Sequence, residues 1–496
     1  MNTILLQPTD VLFFRDGRPM EGPLVGHGAA WPLPHITNAA LHAALHRGFP
    51  VEAIELRHGV STTRHGDHLH RVVRRGKAQD AERHRRFGSL VTAGPFPVRQ
   101  RTAGDPPALP GDSPDTAAAN QTWFLPRPAD LQDATLTPAL LPVASGDYLR
   151  SSLPRPLQYA VANRLPPSKE SGAKGWISGK GFQTYLDGDA CEFNDHAVND
   201  QDFCEIEQNV GIAIDPETQT TGQGEAEGKI YSAHYLRLRD EWRLGLLAHC
   251  SKPEDNKVLD QLLTGDARII VGGQQRVCTA QSFPVNGSVL PLPRGKRDGF
   301  HKSGEKFFVK WILLTPAVWP EIPDKSKDGR RMTPHPGGWV PNWIFLDWDA
   351  KKNEVLTHPQ NGHVLLTTGP GVAKAKRLNE NSGSGIQARL VAAIVPKPIV
   401  VTGWSLGDPF SDVADERQPG ACSTHLAVPA GAVYYFEADG KDKGEKQANA
   451  QKLANALNWH GASSGNEIKN RRSTLMGEKG FGLGVCGTWE FFEDVR

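Results

Sequence analysis

The sequence predicts an α+β protein in which one order of elements, strand–helix–strand–strand–helix–strand, occurs twice. The first observation behind this is length, because 496 residues exceed what one ordinary hydrophobic core accommodates and two domains are expected. The second is composition, since 51 Gly and 38 Pro indicate long loops between the elements. The third is pattern, because short apolar runs typical of strands alternate with a few stretches of helical spacing.

The first half supplies one copy of this order. Its helix is expected over residues 36–46, where apolar residues recur at helical spacing, and Arg47-Gly48 then supply a cation and a cap at its end. The other elements follow from apolar runs bounded by Gly and Pro. They are strands at 3–7, 90–93 and 123–125, a hairpin of 229–238 with 244–249, a helix at 258–263 and a strand at 267–271.

The second half repeats the order, although its first helix is not evident. The predicted elements are strands at 307–314, 399–404 and 432–436, a helix at 446–458 and a closing strand within 482–492. Two such copies amount to two ferredoxin-like, RRM-type βαββαβ domains. We expect them at 1–295 and 300–496, with long inserted segments at about 126–205 and 318–396 that are candidate binding arms.

Composition also narrows the environment of the protein. No run approaches the ~20 apolar residues that a membrane-spanning helix requires. The first residues lack the basic and then uniformly apolar pattern of a signal peptide. The six cysteines form no C-x-x-C pair and suggest no disulfide framework. We therefore expect a cytoplasmic protein without a membrane partner.

The formal net charge of +1 conceals one strongly basic segment. Residues 57–101 hold eleven Lys or Arg against three acids, together with five histidines, so the remainder of the chain is acidic. A basic island of this kind is typical of a polyanion contact, because each cation near a phosphate releases condensed counterions. The alternative is a solvated loop without a ligand. Arg71, Arg74 and Arg75 are the candidate phosphate contacts in this segment.

The opening of the chain combines an apolar anchor with two arginines. Phe13-Phe14 precede Arg15-Asp16-Gly17-Arg18-Pro19, and neither Gly nor Pro favours continuation of a strand there. Arg15 and Arg18 are therefore expected on a tight turn beside hydrophobic residues. This arrangement suits the binding of an anion.

Two glycine-rich strings are candidate phosphate-binding loops. Glycine lets the backbone approach a ligand closely and turn its amides toward phosphate oxygens. Neither string is a P-loop or a dinucleotide fingerprint, because no G-K-[S/T] follows and the next element is a strand. The alternative is a turn without a ligand. The candidate residues are Gly272, Gly273 and Arg276 in the first half and Lys479, Gly480, Phe481, Gly482 and Gly484 in the second.

Histidines and one tryptophan allow further interpretations. His65, His68 and His70 are close enough in sequence to bind a metal, but their order matches no established ligand motif and an RNA-facing loop is favoured. His27, in Gly26-His27-Gly28, is the best candidate for a general base, although a simple ligand or backbone contact is favoured. Trp339 is equally suited to stacking on a base and to packing in a core.

Several strings, taken in order, resemble one family. They are the opening P-x-D-x-L-F-F-R-D-G-R-P, Phe87-Gly88-Ser89-Leu90 with Gly94-Pro95-Phe96, Trp123 to Asp130, Val210 to Asp215 with Glu227 to Tyr231, Leu314-Thr315-Pro316, Gly337 to Pro341 and Ala427 to Gly431. Together they are similar to the third subunit of the type III-B (Cmr) CRISPR effector, a RAMP-superfamily protein. The chain departs from the family in its basic stretch 57–86, its two insertions and Gln275.

The resemblance implies a non-catalytic subunit without cofactor or metal. Such a subunit binds the 5′ repeat-derived handle of crRNA and docks the large Cas10-type subunit and the backbone RAMP subunits, and it meets target RNA only indirectly. The residues expected to contact RNA are Arg15, Arg18, His27, Arg71, Arg74, Arg75, Gly272, Gly273, Arg276, Trp339, Lys479, Gly480, Phe481, Gly482 and Gly484. Two alternatives stay open: a RAMP-type RNA endonuclease with a histidine base, and a protein-only scaffold.

Overall fold

A computed structural model describes most of the chain. The described residues are 1–14, 25–26, 31–49, 60–65, 68–73, 87, 89–100, 121–131, 138, 140–143, 157–163, 174–188, 196–212, 214–215, 217–221, 230–284, 291–322, 334–366, 385–405, 420–462 and 467–492. Within these ranges no helix is both long and apolar enough to cross a membrane.

The described part of the chain is mixed α/β, with many short strands and few helices. The helices are α1 (Pro34–Gly48), α2 (Gly179–Asp187), α3 (Asp200–Phe203), α4 (Pro253–Leu262), α5 (Lys443–Leu457) and one 3₁₀ turn at Gly477–Lys479. The strands are β1 (Asn2–Pro8), β2 (Val25–Gly26), β3 (Val60–His65), β4 (His68–Val73), β5 (Leu90–Gln100), β6 (Gln121–Pro126), β7 (Leu140–Pro142), β8 (Val161–Asn163), β9 (Trp176–Ser178), β10 (Ala197–Val198), β11 (Cys204–Ile212), β12 (Ile230–Leu238), β13 (Trp242–Cys250), β14 (Ala267–Ile270), β15 (Val277–Pro284), β16 (Lys302–Ser303), β17 (Lys306–Leu313), β18 (Trp348–Asp349), β19 (Glu354–Val355), β20 (Ala388–Ile394), β21 (Ile399–Val401), β22 (Trp404–Ser405), β23 (Gly420–Ala421), β24 (His425–Ala427), β25 (Val433–Ala438) and β26 (Gly484–Gly487).

The chain divides into two structural units, each built from segments that are separated in sequence. The first unit comprises Met1–Thr122, Asn199–Pro284 and Val400–His425, and the second comprises Trp123–Val198, Val285–Ile399 and Leu426–Arg496. The predicted limits, 1–295 and 300–496, stay a prediction.

The main sheet of the first unit has five antiparallel strands in the order β5-β13-β1-β15-β14. The central strand β1 is buried over residues 2–6, as expected for a strand covered on both faces. Helix α1 begins at Pro34, whose fixed φ suits the first helical turn, and buries Leu41 and Leu45. Both α1 and α4 pack on this sheet, α1 on β5 and α4 on β13.

A second, smaller sheet in the first unit has the order β11-β12-β2. Strands β11 and β12 pair antiparallel over nine residues, and β2 joins β12 in parallel. This sheet positions the candidate site described below. The basic segment supplies a further hairpin, β3–β4, in which Arg71 lies opposite Thr62.

The sheet of the second unit centres on β17, β25 and β20, all antiparallel. Strand β26 pairs with the end of β17 and β16 with its start. The core beneath it contains Trp311, Trp319, Trp343 and Tyr434, all essentially inaccessible to solvent. Each of the three indole N–H groups donates to a backbone carbonyl, so burial leaves none of them without a partner.

Two sequence-based expectations are corrected. The runs at 229–238 and 244–249 form β12 and β13, but these strands belong to different sheets and are not a hairpin. The second strand of the later copy is β20, inside the predicted insertion 318–396, and residues 399–404 hold only the short β21 and part of β22. Among the described residues between β17 and β20 there is no helix.

Candidate nucleic-acid interface

Strand β12 holds both described flanks of the arginine-rich opening. Leu12 and Leu236 exchange two backbone hydrogen bonds of 2.8 Å, and Val25–Gly26 pair with Ser232 and Ala233. Both pairings are made to the same strand, and residues 10–14 therefore have a fixed position on β12. Arg15, Arg18 and His27, as well as Arg74 and Arg75, lie outside the described residues.

The loop at 272–276, between β14 and β15, packs against this opening segment. The Gly273 amide donates to the Phe13 carbonyl at 2.9 Å. Gly272 has a φ of +76°, and a Cβ at this position would lie 2.5 Å from the same carbonyl oxygen. Glycine is therefore required here both by backbone conformation and by close approach. The structure brings together two strings that the sequence identified separately.

Two non-glycine residues of this loop have left-handed backbones. Gln274 and Gln275 have φ values of +55° and +53°, a conformation that L-residues rarely adopt. The Gln274 side-chain oxygen accepts a hydrogen bond from the Tyr235 hydroxyl at 3.0 Å and from Arg276 at 3.2 Å. These bonds fix the loop despite its unfavourable dihedrals, as is common at binding sites.

Arg276 lies on an aromatic platform. Its guanidinium carbon is 5.1 Å from the centre of the Tyr235 ring, within the range of a cation–π contact. The Phe13 ring packs against Tyr235 at 5.5 Å between centroids. Because 28% of the Arg276 side chain is exposed, this cation is held in place and still meets solvent.

Carboxylates face the arginines of this site. Asp10 contacts Arg276 at 3.4 Å and Arg237 at 3.2 Å, and Arg237 also donates from Nε to Glu207 at 2.8 Å. These hydrogen bonds and charges raise the pKa of Arg237, with the bond to Glu207 the largest cause. Asp10, Tyr235 and Arg237 were not identified from the sequence as site residues. The only sequence signal was the position of Asp10 within the opening string.

The C-terminal glycine-rich loop is occupied by contacts within the protein. The Gly482 amide donates to Pro316 at 2.7 Å, and a Cβ there would collide with the backbone of Ser473. A Cβ on Gly484 would collide with the Trp311 indole, and Phe481 is fully buried. Gly480 has a φ of +91° and is buried, whereas Lys479 is partly exposed. Packing accounts for these glycines without a ligand, and their contact with RNA stays a prediction.

The arginines before that loop differ from surface cations. Arg472 is 2% exposed and donates from Nε to the Ala456 carbonyl at 2.6 Å, close to the end of α5. Burial lowers its pKa to about 10 and also lowers the pKa of Arg471. Arg472 is therefore part of the framework of the second unit.

Trp339 lies at a groove in the second unit. It packs partly against the core, and its carbonyl accepts a hydrogen bond from the Tyr434 hydroxyl at 2.6 Å. The groove has a volume of about 860 Å³ and is mainly apolar, with Leu426, Val395, Pro396 and the one cation Lys397 among its lining residues. Trp339 thus has both a packing role and an open face.

A charged cluster is enclosed in the second unit. Lys310 on β17 donates to Asp130 at 2.9 Å, and the Tyr185 hydroxyl is 2.8 Å from both oxygens of that carboxylate. Burial is the main cause that lowers the pKa of Lys310 and raises that of Tyr185. Asp130 is fully buried, and the cluster connects Asp130 and Tyr185 of α2 to Lys310 of β17 inside the second unit.

The described residues contain no group of three or more side chains arranged to hold a metal ion. His65, His68 and His70 lie on the β3–β4 hairpin, with His65 opposite His68 in the backbone register.

Comparison with known proteins identifies the family. Residues 4–489 match a family described as CRISPR-associated protein (Cas_Cmr3). No curated protein gives a significant match. Solved structures similar to this chain include a type III-B Cmr-beta complex bound to cognate target RNA and AMPPnP (12% identity, 87% of this chain and 86% of that chain, TM-score 0.31). A Csm3-Csm4 subcomplex of the type III-A interference complex (9%, 89% and 96%, 0.33) and a Csm1-Csm4 cassette with AMPPNP (12%, 66% and 83%, 0.26) are also similar.

The family match spans nearly the whole chain and agrees with the order of strings found in the sequence. The chain belongs to the Cas_Cmr3 family of CRISPR-associated proteins.

Proposed function

We propose that this protein is a non-catalytic RNA-binding subunit of a type III-B CRISPR ribonucleoprotein. In this proposal it holds the 5′ repeat-derived handle of crRNA and docks the large Cas10-type subunit beside the backbone RAMP subunits. Membership of the Cas_Cmr3 family supports the assignment to a CRISPR ribonucleoprotein. The observation that carries the RNA-binding part is the packing of the 272–276 loop on residues 10–14.

The chemistry of this site suits RNA. Backbone amides and guanidinium groups bind phosphates and fix the register of a strand, while aromatic rings stack on unpaired bases. The described site contains guanidinium groups and one partly exposed aromatic ring, with Arg276 held over the buried Tyr235 ring and Phe13 beside it. Arg15, Arg18 and His27 follow residues 10–14 in the chain and remain part of the proposal, as do Arg71, Arg74 and Arg75 of the basic segment.

Strand order supports two ferredoxin-like domains. In the first unit the strands β1, β5, β13 and β15, taken in chain order as 1 to 4, lie in the order 4-1-3-2. In the second unit β17, β20, β25 and β26 lie in the same order. Helices α1 and α4 follow strands 1 and 3 of the first unit, and α5 follows strand 3 of the second. This is the βαββαβ arrangement, except that no helix is described after β17.

RNA binding by the full chain tests the proposal. Fluorescence anisotropy with a labelled handle RNA should show saturable binding that is tighter than to an unrelated RNA of equal length. Arg276→Gln should weaken it about tenfold, because a charge-assisted phosphate contact is lost. Arg47→Gln is the control, since Arg47 is an exposed arginine of the first unit, in the last turn of α1 and outside both the candidate site and the basic segment 57–101.

The same samples separate binding from cleavage. After incubation with and without a chelator, the repeat RNA should remain intact on a denaturing gel. Site-specific products that disappear in His27→Ala would favour the endonuclease instead. Absence of binding to any RNA would favour a protein-only scaffold.

A further inference from the structure

We propose that Arg237 and Arg276 together bind one backbone phosphate of the RNA, and that the Asp10 carboxylate occupies this phosphate position while RNA is absent. This inference rests on the proposed function and adds to it a residue pair and an internal competitor. It concerns only described residues of the first unit.

The geometry is that of one anion bridging two cations. One oxygen of Asp10 is 3.2 Å from Arg237 Nη2, and the other is 3.4 Å from Arg276 Nη1. The two arginines come from different elements, Arg237 from β12 and Arg276 from the loop that precedes β15. A phosphate group presents paired oxygens to guanidinium groups as a carboxylate does, so the two anions are interchangeable ligands here.

Each arginine keeps its position if Asp10 moves away. Arg237 is also held by Glu207, which accepts from its Nε at 2.8 Å and lies 2.7 Å from its Nη2. Arg276 is also held by the Tyr235 ring and by the Gln274 side chain at 3.2 Å. The pair is therefore preorganised, and exchange of Asp10 for a phosphate requires no rearrangement of the cations.

Exposure makes this exchange accessible. About half of the Asp10 and Arg237 side chains is exposed, with values of 54% and 46%. Ion pairs at this level of exposure contribute little to stability, so Asp10 is a weak competitor. A polyanion gains in addition from the release of its counterions.

The test measures handle-RNA affinity of the full chain at several salt concentrations. Arg237→Gln should bind about tenfold more weakly. The slope of log affinity against log salt should fall by less than ~0.7, the value for one whole phosphate of single-stranded RNA, because Arg276 still contacts that phosphate. Asp10→Asn should bind about twofold to fivefold more tightly, because the competitor is removed. Arg47→Gln should match the wild type in affinity.

The outcomes distinguish this inference from the function on which it rests. If the wild type binds no RNA, the proposed function fails and the inference fails with it. If the wild type binds, but Arg237→Gln matches Arg47→Gln or Asp10→Asn weakens binding, only the inference is overturned. If Arg237→Gln also lowers the melting temperature, the RNA affinity of Arg237→Lys decides whether the arginine pair binds the phosphate. It keeps the charge and loses the fork geometry, so intermediate affinity supports the pair and wild-type affinity contradicts it.

Discussion

Replacement of Gly272 by alanine tests whether the candidate site depends on close backbone approach. Gly272 and Gly265 both have left-handed backbones, with φ values of +76° and +78°, and both belong to the first unit. They differ in their surroundings. A Cβ on Gly272 would lie 2.5 Å from the Phe13 carbonyl oxygen and 2.9 Å from the Phe14 ring, whereas a Cβ on Gly265 would meet nothing within 4 Å. Gly265→Ala is therefore a matched control.

The expected magnitudes follow from these contacts. A left-handed L-residue costs about 1–2 kcal/mol, and this cost applies to both variants. Forcing extra atoms into a packed site typically costs about 1–3 kcal/mol more, and this applies to Gly272→Ala alone. We expect a loss of about 2–5 kcal/mol for Gly272→Ala and about 1–2 kcal/mol for Gly265→Ala.

Urea unfolding of the full chain measures the loss in free energy of unfolding for both variants. Hydrogen exchange of residues 267–284 reports that loss in the first unit. RNA affinity should fall in Gly272→Ala only, because the loop that carries Arg276 must move away from Phe13. Equal destabilisation in the two variants, or unchanged RNA affinity in Gly272→Ala, would refute the reasoning.

Three further predictions concern the second unit. Lys310→Met should cost about 3–5 kcal/mol in urea unfolding by leaving Asp130 buried without its cation, and adding Asp130→Asn should restore part of the loss. Burial lowers the pKa of His335 to about 4, against about 6.5 in the unfolded chain. Because the unfolded chain then binds a proton that the folded chain does not, the free energy of unfolding should fall by about 3 kcal/mol as pH drops from 6.5 to 4. His335→Asn should flatten the fall in melting temperature over that range. Gly482→Ala should destabilise the protein more than Gly299→Ala, which has φ +63° and open space around it, with the difference read by urea unfolding.

Local pattern predicted many of the elements. The strand at 3–7 and the helix at 36–46 extend by only a few residues, to Asn2–Pro8 and Pro34–Gly48. The strand is a continuous apolar run and the helix has apolar residues at helical spacing, and either pattern is visible within about ten neighbouring residues. Strand β20 was missed because its mainly apolar sequence, interrupted by Arg389, lies among Gly-rich and Pro-rich segments. Its partner β25 begins about forty residues later, and no local pattern reveals that pairing.

The hairpin expected at 229–249 shows how tertiary pairing overrides proximity in sequence. The two strands are joined by three residues, which favours a hairpin. Strand β12 instead pairs with β11, and Leu236 bonds to Leu12 from the start of the chain. These partners are set by distant segments and cannot be seen in the connection itself.

The candidate site was predicted in part for the same reason. Gly272, Gly273 and Arg276 were found because glycine pairs beside a cation are conspicuous in a sequence. Asp10 and Tyr235 were not found, because each is a site residue only through its contact with Arg276, which lies in another part of the chain. The packing of Gly482 and Gly484 against Ser473 and Trp311 was equally invisible before the fold was known.

Photo-cross-linking of labelled handle RNA to the full chain tests the central claim most directly, because bases stacked on aromatic rings cross-link efficiently to them. The account predicts cross-linked peptides that contain Phe13, the partly exposed ring of the site, recovered with RNA of unchanged length. Cross-links confined to other peptides, or RNA shortened at a defined position, would contradict it.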